Sequence, residues 1–217
     1  MSRRTKRLTL DDLATLPGPC RDCLFWELDP VRRTRVAAED RLAEKEAWVS
    51  EVLREWGSCG QVLSVDDVPL GYAIYAPTAF VPGAQAFPTA PVSTDAVQLT
   101  TVYVDPRAAG GGLGRVLIQA MARDLVQRGG IRAVEAFGDT RQVRPEACVV
   151  PAGFLAAVGF KTQRAHPTNP RMRMDLRSTL TWKDEVEQAL EKLLGAVRPV
   201  RAAPKATQPP ARQRLTR

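Results

Sequence analysis

The chain has 217 residues, of which 44% are hydrophobic and 25% charged, a composition typical of folded proteins with a substantial core. This length favours one domain with extensions over two full domains. No apolar run approaches the roughly 20 residues that a membrane-spanning helix requires, so we expect no membrane association. No secretory signal follows the basic start, and four cysteines are too few for a disulfide-based fold. A reducing cytoplasm is therefore the expected location.

The net charge of +7 is concentrated at the two ends of the chain. Residues 1–7 contain four basic residues and residues 199–217 contain five, with no acidic residue in either segment. Residues 8–198 therefore carry a net charge of −2 (7 − 9). This distribution disfavours a nucleic-acid-binding domain, which normally carries its cations on a folded face. Weak contact with polyanions through the basic ends stays open as a minor function.

Three segments are predicted to lie outside the main domain. Residues 1–17 are interpreted as a basic arm. Residues 179–198 repeat apolar side chains along one face of a predicted helix, which either packs on the core or makes a homodimer. Residues 199–217 contain four prolines and few large apolar residues, so they are predicted to be disordered.

The main domain is predicted to occupy residues 18–178. It begins with a strand at Cys20–Leu28, and a helical region follows from Asp29 to Gly57, either continuous or broken between Arg33 and Asp40. The remaining elements are the hairpin strands Gln61–Val65 and Leu70–Ala76, a proline-containing loop over 77–95, a strand Val97–Val104, a helix from Gly112 to about Arg128, a strand Ile131–Phe137, a short helix Ala152–Val158, and closing strands Phe160–Ala165 and Met172–Leu176.

The segment Val104–Gly114 (VDPRAAGGGLG), here called the glycine loop, is the candidate ligand-binding segment. Its glycines allow tight turns and let an anion approach without a Cβ in the way. The helix that follows supplies unpaired amides and the positive end of a dipole, and Arg115 adds a charge-assisted contact to a phosphate. A Walker A loop is excluded because Arg115 and Val116 stand where Lys and Ser or Thr are needed. The alternative is a tight strand–helix turn that binds nothing.

The glycine loop resembles the acetyl-CoA-binding motif of the GNAT N-acetyltransferase superfamily, in which V-x-P is followed by R/Q-G-x-G-x-G. One position departs from the motif, since Ala109 replaces the Arg or Gln. A second GNAT motif, a short helix ending in x-G-F, is matched by residues 154–160 (FLAAVGF). The residues that match the first motif are Val104, Pro106, Gly110, Gly112 and Gly114.

The resemblance implies an α/β (α+β) fold with a mixed central sheet that splays into a V between the strands ending at Val104 and Phe137. The pantetheine arm of acetyl-CoA, the cosubstrate, would lie in this gap, and no metal is expected. The resemblance assigns cofactor binding to two groups, the main chain of Val102, Tyr103 and Val104, and the loop residues Ala109, Gly110, Gly111, Gly112, Leu113, Gly114 and Arg115. The acetyl group would pass directly to an amine of a small molecule or of a protein lysine in a ternary complex.

Two carboxylates are candidates for activating the amine. Glu135 lies in an otherwise apolar strand, where burial would raise its proton affinity and suit it to act as a base. The alternative for Glu135 is an ion pair with a neighbouring arginine or a solvated strand face. Asp139, just past that strand, would bind a cationic amine or, alternatively, cap a turn. Many GNAT members place a tyrosine acid at the position that Leu155 occupies here.

Two further interpretations concern the whole protein and its cysteines. The absence of a tyrosine at Leu155 supports an alternative function, a non-catalytic acetyl-CoA sensor or protein-interaction module. Cys20 and Cys23 form a C-x-x-C pair, but the remaining metal-type residues Cys59, Cys148 and His166 have no metal-site spacing. The cysteines are therefore interpreted as structural.

Overall fold

The computed structural model describes residues 2–141 and 148–176 of the chain. The predicted helix over 179–198 and the tail over 199–217 lie outside the described residues. The strands are β1 Arg3–Arg7, β2 Gly60–Val65, β3 Val68–Ala76, β4 Ala96–Val104, β5 Ala133–Asp139, β6 Val150–Pro151, β7 Lys161–Arg164 and β8 Arg171–Asp175. The α-helices are α1 Pro30–Arg33, α2 Arg41–Trp56, α3 Leu113–Arg128 and α4 Ala152–Ala157.

The eight strands form one mixed sheet in the order β1-β2-β3-β4-β5-β8-β7, and β6 pairs with the end of β5. The pairs β4–β5 and β5–β6 are parallel, and the other neighbours are antiparallel. This arrangement confirms the predicted mixed sheet with flanking helices. Among the helices that the structure describes, none is long and apolar enough to cross a membrane.

The start of the chain differs from the prediction. Residues 1–17 were predicted to be a basic arm, but Arg3–Arg7 forms the edge strand β1 and pairs antiparallel with β2. Its basic side chains also have local partners, since Lys6 and Arg7 make ion pairs with Asp12 and Asp124 at 2.7 and 2.6 Å. A short strand rich in arginine and lysine is typical of a protected sheet edge, and it carries no apolar alternation to reveal it.

The predicted strand at Cys20–Leu28 is wrong, because this segment forms turns. Its apolar side chains point into the protein without strand pairing, and Leu24 and Trp26 are almost fully buried. The helical region that follows is broken into α1 and α2, which is one of the two predicted alternatives. Asp29 caps α1 by accepting hydrogen bonds from the first amides, and Gly57 ends α2 in the left-handed conformation.

The central hairpin and the parted strands position the site. Asp66 and Asp67 both have positive φ, which is the geometry of the tight turn predicted between β2 and β3. Strands β4 and β5 pair only over three residues each, ending at Gln98 and Glu135. Beyond that rung β4 stays with β3 and β5 stays with β8, so the two strands separate into the predicted V.

Each face of the sheet carries its own apolar cluster. Helices α3 and α4 bury residues such as Leu117, Met121 and Leu155 against one face. On the other face, α2 and the turn segment before α1 bury residues such as Val49 and Trp26. The sheet is therefore covered on both sides, and the gap between β4 and β5 lies between the two clusters.

Candidate active site

The glycine loop presents an open backbone at the start of α3. Gly110 and Gly112 have φ values of +83° and +73°, a region that side chains other than glycine rarely adopt. A Cβ added to either glycine would meet none of the residues that the structure describes within 4 Å, so these residues leave the loop surface open. Within the described part of the chain, no side chain caps the first turn of α3. The unpaired amides of this turn are therefore available to an anion.

The loop forms one wall of a cavity of about 450 Å³, here called the loop cleft. The opposite wall is built by β6 and α4, including Val150, Pro151 and Phe154. Of the ten residues predicted to contact a cofactor, Tyr103 and Gly111 are not in the lining, and the Tyr103 ring stacks on Tyr72 instead. The other eight are brought together there: Val102, Val104, Ala109, Gly110, Gly112, Leu113, Gly114 and Arg115.

Arginines surround the glycine loop. Arg115 donates a hydrogen bond to the Ala157 carbonyl at 2.6 Å, which joins the start of α3 to the end of α4. Arg3, on the edge strand β1, donates to the Gly111 carbonyl at 3.4 Å. Nothing in the sequence around Arg3 indicates this contact, because it depends on the register of β1 beside β2. Two guanidinium groups therefore lie close to the loop.

The entry to the loop is fixed by Asp105, which accepts hydrogen bonds from the Arg107 amide at 2.9 Å and from its guanidinium at 2.7 and 3.1 Å. These contacts lower the pKa of Asp105 to about 2, chiefly through the hydrogen bonds from the Arg107 side chain. The charged carboxylate thus closes the turn that leads from β4 into the glycine loop.

Glu135 has no exposed surface and contacts two arginines. Its carboxylate lies 3.1 Å from Nη1 of Arg173 and 3.3 Å from Nε of Arg171, and it accepts the Ser93 amide at 3.1 Å. These contacts are those of the ion-pair alternative. The carboxylate that is predicted to act as a base therefore also has a structural role, as the partner of two arginines.

Asp139 lies at the end of β5 beside β6. Its carboxylate accepts hydrogen bonds from the Arg141 amide and guanidinium at 2.9 to 3.0 Å, and these bonds lower its pKa. The geometry is that of a turn-capping aspartate, the alternative that the sequence left open. Leu155, the position of the tyrosine acid in many GNAT members, is fully buried in the apolar cluster under α4.

Comparison with known proteins identifies the domain. The model of the acetyltransferase (GNAT) family matches residues 23–147, more than half of the sequence. The chain belongs to the GNAT acetyltransferase family. No curated protein matches the sequence.

Similar solved structures extend beyond the matched segment. A PaiA N-acetyltransferase from Thermoplasma acidophilum in complex with coenzyme A is 13% identical, with 81% of this chain and 99% of that chain covered and a TM-score of 0.51. An N-acetyltransferase from Staphylococcus aureus Mu50 is 16% identical with the same coverage and TM-score. The loading GNATL domain of CurA from Lyngbya majuscula is 14% identical, with 82% and 100% covered and a TM-score of 0.50. At this identity the similarity shows the fold.

One buried polar residue of this GNAT domain was missed by sequence reasoning. Gln98 is fully buried on the last rung that joins β4 to β5, and neither atom of its amide has a hydrogen-bond partner among the described residues. A buried amide without partners costs free energy unless a bound molecule satisfies it. The signal was present in the sequence, since Gln98 is a polar residue in a strand of apolar and β-branched residues.

A second cavity of the GNAT domain, of about 390 Å³, lies beside the turn segment before α1. We call it the cysteine cavity, because Cys23 and Cys148 contribute to its wall. Trp26 is buried, and its ring lies nearly parallel to those of Phe87 and Phe137, with centroid distances of 5.0 and 6.1 Å. It therefore belongs to the core behind this cavity.

Proposed function

We propose that the protein is an acetyl-CoA-dependent N-acetyltransferase that passes the acetyl group to a primary amine. The observation that carries this proposal is the open glycine loop, whose uncapped amides face a cleft that continues into the parted strands. The PaiA structure of the same fold contains coenzyme A, which supports the proposed ligand. Bound acetyl-CoA would supply an activated thioester.

The residues of the loop cleft fit such a ligand. The amides at Gly112 and Leu113, with Arg115 beside them, suit a diphosphate, because the positive end of the dipole of the 16-residue helix α3 lies at these residues. Beyond Gln98, β4 has no strand partner on the side facing β5 among the described residues. Its main-chain groups are therefore proposed to pair with the pantetheine arm, in place of the missing strand.

We propose direct attack by the amine in a ternary complex. The described lining of the loop cleft contains no Ser, Thr, Cys, His or Lys side chain, so it offers no covalent nucleophile. Asp139 is proposed to attract the cationic amine. Glu135 stays a candidate base, although its carboxylate already forms ion pairs with two guanidinium groups.

Calorimetry with acetyl-CoA tests the loop assignment. Gly112→Glu places a carboxylate where the diphosphate is proposed to bind, so we expect the affinity to fall at least about 100-fold, the size of a lost charge-assisted site. Gly129→Glu is the matched control, because Gly129 also has a positive φ with open space around it but lies at the other end of α3. Unchanged affinity in Gly112→Glu would contradict the proposal.

A second candidate function, acetyl-CoA binding without turnover, is favoured by the buried Leu155 at the position of the family's acid. A panel of amines, assayed for release of the free coenzyme thiol, separates the two functions. The proposed enzyme releases thiol with at least one class of amine, and Gly112→Glu abolishes the release. Tight binding with no release above the hydrolysis rate by any amine would favour the sensor.

A further inference from the structure

Two cysteines that are 125 residues apart in the sequence meet beside the cysteine cavity. The sulfur atoms of Cys23 and Cys148 are 3.3 Å apart, and one thiol donates a hydrogen bond to the other. A disulfide has an S–S bond of about 2.05 Å, so its formation requires the sulfurs to approach by roughly 1 Å. Both side chains are half-buried and reach the cavity.

The main chains of both cysteines are held by buried side chains. The Trp26 indole donates to the Cys148 carbonyl at 2.8 Å, and the Lys45 ammonium donates to the Cys23 carbonyl at 3.1 Å. Lys45 is itself buried in an ion pair with Glu27. The short distance between the sulfurs is therefore set by the packed core rather than by two exposed side chains.

The two thiols have different acidities. The hydrogen bond from Cys148 lowers the pKa of Cys23 to about 7, while the same bond and burial raise the pKa of Cys148. Burial raises the pKa of Cys20 to about 11 and that of Cys59 to about 12. At neutral pH the attacking thiolate is thus expected at Cys23, with Cys148 beside it as the resolving thiol.

The wall of the cysteine cavity indicates which oxidant fits. Among the residues that the structure describes, Arg33 and Arg41 line it together with one carboxylate, Asp22. Arg33 is fixed over the Phe25 ring and donates to the Phe25 carbonyl at 3.1 Å. Two guanidinium groups against one carboxylate favour a small disulfide that carries carboxylate groups.

We infer that Cys23 and Cys148 form a reactive dithiol site that is oxidised to a disulfide by small anionic disulfides. The Cys23 thiolate attacks one sulfur of the small disulfide, forms a mixed disulfide and releases the first small thiolate. Cys148 then loses its proton, attacks Sγ of Cys23 and releases the second small thiolate. Two protein thiols are oxidised to one disulfide, the small disulfide is reduced to two thiols, and the protons pass to the released thiolates.

The product would connect the cysteine cavity to the loop cleft. Cys148 lines the first, and Val150, two residues later, lines the second. The disulfide would therefore tether the strand β6 to the segment before α1. Oxidation requires neither acetyl-CoA nor an amine. The dithiol proposal can therefore fail while the proposed function holds, and the proposed function can fail while the dithiol proposal holds.

The test incubates the reduced full-length protein with oxidised glutathione, alkylates the remaining thiols and maps the peptides by mass spectrometry. The expected product is a Cys23–Cys148 cross-linked peptide that dithiothreitol reverses. A stable mixed disulfide at Cys23, a Cys20–Cys23 disulfide, or full alkylation of all four cysteines would overturn the inference. Because the map uses the natural sequence, it does not depend on whether any variant folds.

Variants test the hydrogen bond between the thiols. In the natural protein, the rate at which iodoacetamide alkylates Cys23 should reach half its maximum near pH 7. In Cys148→Ala this midpoint should move to about pH 8.5, the pKa of an ordinary cysteine. Cys148→Ser retains a donor, so it should keep the low midpoint but form no cross-link. Cys20→Ser and Cys59→Ser are the matched controls and should still form it. An unchanged midpoint in Cys148→Ala would contradict the proposed thiol pair.

Discussion

A Cβ placed on Gly114 would lie 2.7 Å from Cε2 of Phe154, closer than two carbon atoms pack without displacement. Gly114 stands in the first turn of α3 and Phe154 on α4, and both line the loop cleft. The missing side chain therefore lets the two helices approach and shapes the cleft between them.

We expect Gly114→Ala to force the Phe154 ring into the loop cleft and to weaken acetyl-CoA binding. Overpacking should lower the free energy of unfolding by about 1–3 kcal/mol. The better helix propensity of alanine should offset up to about 1 kcal/mol of this loss. Calorimetry and thermal unfolding measure the two effects. Gly153→Ala is the control, because Gly153 is also a helical glycine with an ordinary φ, but its Cβ would meet no described residue within 4 Å. Equal coenzyme affinity in both variants would contradict this account.

The elements that sequence reasoning predicted correctly are those determined by neighbouring residues. The turn at Asp66-Asp67, the stop at Gly57 and the glycine loop before α3 each carry their own backbone chemistry. Local chemistry also explains why eight of the ten predicted cofactor residues line one cleft. Whether they bind the coenzyme stays a prediction until it is measured.

The features that were missed depend on residues far apart in the sequence. Strand β1 pairs with β2 across more than fifty residues, and its polar side chains give no period that predicts a strand. The approach of Cys23 to Cys148 depends on how the turn segment packs against the end of β5. The apolar residues around Trp26 predicted a strand because burial alone does not distinguish a strand from a packed turn.

Asp124 on α3 joins two strands of the sheet, β1 and β3, to the segment before β2. Its carboxylate accepts hydrogen bonds from the Tyr75 hydroxyl at 2.7 Å, the Ser58 hydroxyl at 3.1 Å and the Arg7 guanidinium at 2.6 Å. Asp124→Ala would leave these donors without their acceptor, so we expect the free energy of unfolding to fall by about 2–5 kcal/mol.

Arg7→Ala provides the comparison for Asp124→Ala, because the Arg7 side chain is 56% exposed. Its loss should lower the free energy of unfolding by about 1 kcal/mol or less. Urea unfolding measures both variants. If the free energy of unfolding falls as far in Arg7→Ala as in Asp124→Ala, the ion pair with Arg7 would account for the whole effect. That result would contradict the contribution assigned to the buried hydroxyl contacts of Asp124.

The Asp105–Arg107 pair predicts a dependence of stability on pH. The pKa of Asp105 is lowered to about 2 in the folded protein, below the ordinary value of about 4 that applies on unfolding. The charged carboxylate therefore stabilises the fold above about pH 4, and this contribution is lost as the pH falls from about 4 towards 2. Thermal unfolding of the natural protein and Asp105→Asn should differ most near pH 6, and the difference should shrink below about pH 4 and vanish towards pH 2. A difference that is constant across this range would contradict the assignment.

Glu135→Gln separates the two roles proposed for this carboxylate. The variant leaves Arg171 and Arg173 beside a neutral amide in a buried site, so we expect the free energy of unfolding to fall by about 2–5 kcal/mol. We also expect the folded variant to retain most of its acetyl transfer, since the contacts are those of an ion pair.

Asp175→Asn is the matched control, because it removes the charge from a 62% exposed partner of the same Arg173. This change should lower the free energy of unfolding by about 1 kcal/mol or less. If transfer by folded Glu135→Gln falls by more than about 100-fold, the size of a lost general base, Glu135 accepts the proton of the amine.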